Sequence, residues 1–115
     1  MAIVNITVQN DADFYRTFSW QTIAGSPINM TGMKLEMMLR RHASDQAAVL
    51  RLATDTGEIV VTDAAGGLFT VRIVQETLER LGLGDFDQSN IATVTGGGKV
   101  RVWSGILTNN AGPTR

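Results

Sequence analysis

His42 is the one histidine of the chain, and Ser44 and Asp45 follow it closely. A hydroxyl nucleophile, an imidazole base and an orienting carboxylate are the parts of a hydrolytic triad. Triads are assembled from segments far apart in sequence, because side chains crowded on one loop rarely line up in that geometry. The run His42-Ala43-Ser44-Asp45 therefore reads as a solvated polar loop. Asp85, Asp87 and Ser89 take the first, third and fifth ligand places of a calcium loop. The sixth place requires glycine and holds Asn90, and the twelfth requires glutamate and holds Gly96. An ordinary polar loop is expected over Asp85–Asn90. Gly96-Gly97-Gly98-Lys99 has the glycines of a phosphate loop without the GxxxxGK[ST] spacing. It also leads into a strand where a phosphate loop opens a helix, so a flexible hairpin turn is expected there.

Arg16, Arg40, Arg51, Arg72 and Arg101 all fall inside expected strands. Gathered on one sheet face, they would make a basic patch for nucleic acid. Glu36 and Glu58 occupy the same class of position and the net charge is -1. A solvated face with cross-strand ion pairs is the expectation, with no general pull toward nucleic acid or anionic membrane. Phe14, Phe18, Trp20 and Trp103 offer either a platform for a sugar or receptor, or the aromatic part of a core; the core is the simpler reading. Cysteine is absent, which excludes disulfides and thiolate metal sites. Catalytic, cofactor-binding and metal-binding residues are each expected to number none. Asn5-Ile6-Thr7 and Asn29-Met30-Thr31 match the glycosylation pattern. That pattern has no consequence without a secretion signal, and Met1 to Asn5 does not read as one. No apolar run approaches the roughly 20 residues of a membrane helix.

The elements that must position these residues are mostly strands. Ser26 to Arg40 carries the clearest pattern. Pro27 and Gly32 constrain a loop, and then Met33, Leu35, Met37 and Leu39 alternate with Lys34, Glu36, Met38 and Arg40. This predicts a half-buried strand with four inward residues. Met38 interrupts its polar face, which predicts a cover from the following helix or from a partner subunit. Further strands are expected at Ile3–Gln9, Phe14–Trp20, Ala48–Ala53, Glu58–Thr62, Leu68–Val74, Ile91–Thr95 and Lys99–Thr108, with Gly105 marking a bulge or a close backbone approach. Arg16, among aromatic residues, is placed to stack on them or to reach the rim. Val74, Leu78 and Leu81 have helical spacing and predict one short helix over Val74–Leu83, ended by Gly82 or Gly84. Residues 41–46 read as a polar connection, and 109–115 as a polar tail. At 115 residues the chain reads as one domain, 1–115, with an all-β fold. The expected form is an immunoglobulin-like antiparallel β-sandwich or barrel with one short helix.

Three segments together resemble a family. They are Phe14 through Trp20, then Gly25-Ser26-Pro27-Ile28-Asn29-Met30-Thr31-Gly32 with the strand that follows, and Gly98-Lys99-Val100-Arg101-Val102-Trp103-Ser104-Gly105-Ile106-Leu107-Thr108 running on to Thr114-Arg115. The pattern is similar to small β-sandwich domains of phage and prophage tail proteins, and in particular to the N-terminal domain of phage baseplate upper proteins. The resemblance implies a non-enzymatic structural or adaptor protein of a tail or baseplate, acting by self-assembly and protein–protein binding. It implies other tail or baseplate proteins as partners, a homo-oligomer, and no nucleic acid or membrane partner. It places the chain in the virion, or in the bacterial cytoplasm when expressed from a prophage. A carbohydrate- or receptor-binding module using surface aromatics is the alternative.

Overall fold

Leu35, Met37 and Leu39 are all buried, while Glu36, Met38 and Arg40 between them are half-buried on the opposite face. Period two has produced a strand with one dry side. Each of the three buried side chains contributes about 1.5–3 kcal/mol of gross burial. Met33, expected as a fourth inward residue, is half-buried just before this strand begins.

The structure is a computed structural model, and it describes residues 2–113. The Thr114-Arg115 end of the resemblance lies outside the described residues. In chain order the elements are β1 (Ala2–Ile3), β2 (Ile6–Gln9), β3 (Phe14–Ser19), β4 (Lys34–Arg40), β5 (Leu50–Ala53), β6 (Ile59–Asp63), β7 (Leu68–Ile73), α1 (Gln75–Leu81), β8 (Gly84–Thr93) and β9 (Lys99–Asn110). They form two sheets. The larger runs β1-β9-β8-β4-β5, with β2 also on β9, and the smaller runs β3-β7-β6. Two separate sheets make this a sandwich and not a closed barrel.

The first expected strand is in fact two. β1 and β2 both pair with β9, and both run parallel to it, whereas the remaining pairs are antiparallel. The break falls at Val4–Asn5, opposite Gly105. A Cβ at 105 would collide with the Val4 carbonyl group, so the expected close backbone approach is real. Other groups satisfy the broken ladder. The Val4 N–H donates to Ser104 O at 2.9 Å, and the Ile106 N–H donates to Asn5 Oδ1 at 3.1 Å.

The core lies between the sheets. Phe18 and Phe69 of the smaller sheet meet Trp103 of the larger one, at ring-centroid distances of 4.7 and 5.5 Å to the indole. Trp103 is buried, and its Nε1–H donates to Gln88 Oε1 at 2.7 Å. Gln88 Nε2 in turn donates to the Val4 carbonyl oxygen at 2.8 Å. A buried indole N–H needs such a partner.

Two local differences from the expected pattern have physical causes. Asp85–Asn90 is not a loop but the first part of β8. Its inward positions are Phe86, Gln88, Asn90 and Ala92, and two inward amides disguise the alternation. In β9, Asn90 pairs with Trp103 but Ile91 pairs with Arg101, so Val102 is an extra residue. This bulge buries both Val102 and Trp103 and reverses the parity of the strand.

The helix α1 is shorter than expected and closes one end of the sandwich. Its buried residue is Leu78. Asp13 Oδ1 accepts from the Gln75 N–H at 2.7 Å at its start. Asn109 Nδ2 donates to the Leu78 and Gly82 carbonyl oxygens, both at 2.9 Å, at its end. The helix therefore does not cover Met38. The Arg40 guanidinium donates to the Met38 sulfur at 3.7 Å, and Met38 stays half-buried on the outer face.

Candidate functional site

The outer face of the larger sheet carries the candidate site. Register lines up Ile3, Ser104, Ser89 and Met38 across β1, β9, β8 and β4. The next row holds Ile106, Asp87 and Arg40. Two small serines in the middle of long neighbours leave a shallow hollow of about 590 Å³. Ile3 is 74% exposed and Ile106 41% exposed on its apolar side. Arg40, Arg101 and Asp87 supply charge around it. Asp87 Oδ2 also accepts from the Ala43 N–H at 2.9 Å, which ties the β4–β5 loop to the rim.

The titratable and charged groups that line the hollow with Ser89 and Ser104 are Asp87, Arg40 and Arg101, with no imidazole or amine among the lining residues. His42 stands outside the hollow, on an exposed loop. Its N–H donates to Asp45 Oδ2 at 3.2 Å, and the Asp45 N–H returns to His42 O at 2.9 Å. That is a self-contained turn. Ser44 is exposed beside it. Among the described residues no group of three His, Cys, Asp or Glu side chains is placed to hold a metal ion. Gly96-Gly97-Gly98 forms the β8–β9 hairpin turn, closed by the Val94 N–H donating to Gly98 O at 2.8 Å.

The arginines do not share one face. Arg40, Arg51 and Arg101 lie on the larger sheet, Arg72 on the outer side of the smaller one, and Arg16 on β3 with its guanidinium 5.0 Å from the Phe18 ring centroid. A single basic patch is therefore not assembled. Arg51 pairs with Glu36 at 2.6 Å and with Asp55 at 3.4 Å. Its hydrogen bond to Glu36, followed by the two carboxylate charges, holds its guanidinium above the ordinary value. Arg72 reaches Asp13 at 4.0 Å.

The aromatic platform is not assembled either. Trp103 is in the core, and Phe14, Phe18 and Trp20 are half-buried against it. The exposed ring belongs to Tyr15. Sequence reasoning passed over Arg41 as part of a polar connection. Its guanidinium stacks 4.1 Å from the Phe86 ring centroid and donates to Leu83 O at 3.0 Å. It clasps the turn between α1 and β8. The apolar part of the hollow was equally missed, because Ile3 and Ile106 lie on strands assigned to a core by period alone.

No protein-family model matches the chain, and no curated protein matches it. Solved structures do. The chain is similar to the N-terminal domain of phage TP901-1 ORF48, with a TM-score of 0.51, 14% identity, and coverage of 96% of this chain and 84% of that one. Murine CRIg matches with a TM-score of 0.45 and 12% identity, covering 94% of this chain and 92% of that one. A chain of the complex of Dpr1 IG1 bound to DIP-eta IG1 matches with a TM-score of 0.45 and 15% identity, covering 95% of this chain and 90% of that one. At these identities the likeness is one of fold, an immunoglobulin-like β-sandwich with one short helix.

Proposed function

We propose that this chain is a non-enzymatic structural or adaptor module of a phage tail or baseplate, and that it works by binding protein surfaces. The observation that carries the binding role is the hollow on the larger sheet. It combines exposed Ile3 and Ile106 with a charged rim and a serine floor. Exposed apolar side chains next to charged ones, around a hollow that a partner side chain can fill, suit a protein-binding surface. The phage setting is supported by the three resembling segments and by the fold shared with a phage protein's domain. Neighbouring tail proteins and further copies of the chain are the partners in this reading, and the assembled particle is its location.

The test is co-purification with the tail proteins encoded alongside the chain, followed by affinity measurement. Ile106→Glu and Met38→Glu change side chains at the hollow without touching the core. Each is expected to weaken binding by about tenfold or more, as loss of an interface anchor does, while leaving the thermal midpoint nearly unchanged. A chain that binds none of those proteins, or variants that bind as tightly as the parent, would overturn the reading.

A further inference from the structure

The open edges of the two sheets are not alike. The edge formed by β1 and β2 is broken at Val4–Asn5. β5 is four residues long, and β6 is bulged between Val61 and Asp63. Short strands, bulges and interruptions are the usual means of blunting an edge. β3 has none of them. It is a regular six-residue strand with β7 as its single partner strand. Tyr15, Arg16, Thr17 and Ser19 are all exposed, while Phe69, Thr70 and Val71 beside them on β7 are buried.

The direction of its backbone groups follows from two contacts. The Trp20 N–H donates to Gly67 O at 2.8 Å. The Thr17 and Thr70 hydroxyls meet at 2.8 Å, as side chains do in the close, non-hydrogen-bonded pairs of an antiparallel ladder. Bonds to β7 therefore recur at Phe18, Arg16 and Phe14. The N–H and C=O groups of Tyr15, Thr17 and Ser19 face the open edge.

We propose that two copies of the chain pair antiparallel through β3, about a two-fold axis at Thr17, and join their smaller sheets into one six-stranded sheet. This deepens the reading above, since it rests on the chain acting by protein–protein contact, and it names the surface used between copies. The strand is complementary to itself in this register. Thr17 faces Thr17 of the second copy, as a hydrogen-bonded pair of the kind the free groups require. Tyr15 faces Ser19, Phe14 faces Trp20, and Arg16 faces Phe18, the ring it already approaches within its own chain. No like charges stand directly opposite. Centring on Tyr15 or Ser19 keeps the hydrogen-bonding parity but shortens the overlap, and centring on Arg16 opposes two guanidinium groups. An isologous, self-complementary patch is what a two-fold dimer needs. So short an edge pairing buries little area, and the association is weak in free solution.

Sedimentation from ~10 μM to ~1 mM reads this concentration range of weak association. The parent chain is expected to move from monomer to dimer. Thr17→Pro removes an N–H that points away from β7, so the β7 ladder is spared and the dimer is lost. Thr17→Lys opposes two like charges at the axis and weakens association by about tenfold or more, and it stands in should the proline variant fail to fold. A parent chain that stays monomeric across the range, or variants that associate like the parent, would overturn the pairing. A monomeric chain that still binds tail proteins sinks the β3 pairing alone. A β3 dimer that binds no tail protein leaves the pairing standing and removes the reading above.

Discussion

Gln88 and Asn90 are neighbours on the inner side of β8, and they make opposite predictions. Gln88 is satisfied at both ends, by the Trp103 N–H and the Val4 carbonyl. Gln88→Leu leaves both of those groups stranded, and it is expected to cost about 1–3 kcal/mol. Asn90 is fully buried with neither side-chain polar atom hydrogen-bonded among the described residues. Its amide was desolvated without return, so Asn90→Val is expected to raise stability by about 1 kcal/mol. Urea unfolding of the two variants checks both signs. A loss of stability in Asn90→Val would mean that the amide has a partner in solution.

At the scale of the element, α1 has seven residues, too few to persist alone. It persists because residues distant in sequence meet its orphan backbone groups, Asp13 at one end and Asn109 at the other. Asn109→Ala is expected to cost about 1–2 kcal/mol. Amide exchange should speed up first across Gln75–Leu81, ahead of the strands; uniform acceleration would show that the contact is not specific to the helix. The elements also show what was legible in the sequence. β4 was, because Leu35, Met37 and Leu39 recur at every second place, with Met38 as the one apolar residue between them. The first half of β8 was not, because amides at 88 and 90 point inward. The Val102 bulge was not, since a period cannot announce the residue that breaks it. The hollow was half legible. Arg40 and Arg101 read as strand cations, but Ile3 and Ile106 become exposed only through which strand lies beside which, and pairing order is a long-range property.

At the scale of the molecule, the first strands of the chain pair with the last. Ile6 lies beside Leu107 and Gln9 beside Asn110. The larger sheet is therefore incomplete until nearly the whole chain is present, and such distant pairings make folding slow relative to helical proteins of equal size. The two candidate surfaces lie on different sheets, the hollow on the larger and the open β3 edge on the smaller. On the two proposals made above, one chain would hold a copy of itself and a different protein at the same time.

The parallel course of β2 and β9 also bears on mechanical load. The chain enters this pair at one end of the sheet and leaves it at the other. Tension applied between the chain ends slides the two strands along each other, so their bonds resist together. Pulling between the N-terminus and the Gly97 turn instead opens the same strands from one end, bond by bond. Single-molecule pulling is expected to show a clearly higher rupture force in the first geometry, and equal forces would place the mechanical weak point elsewhere.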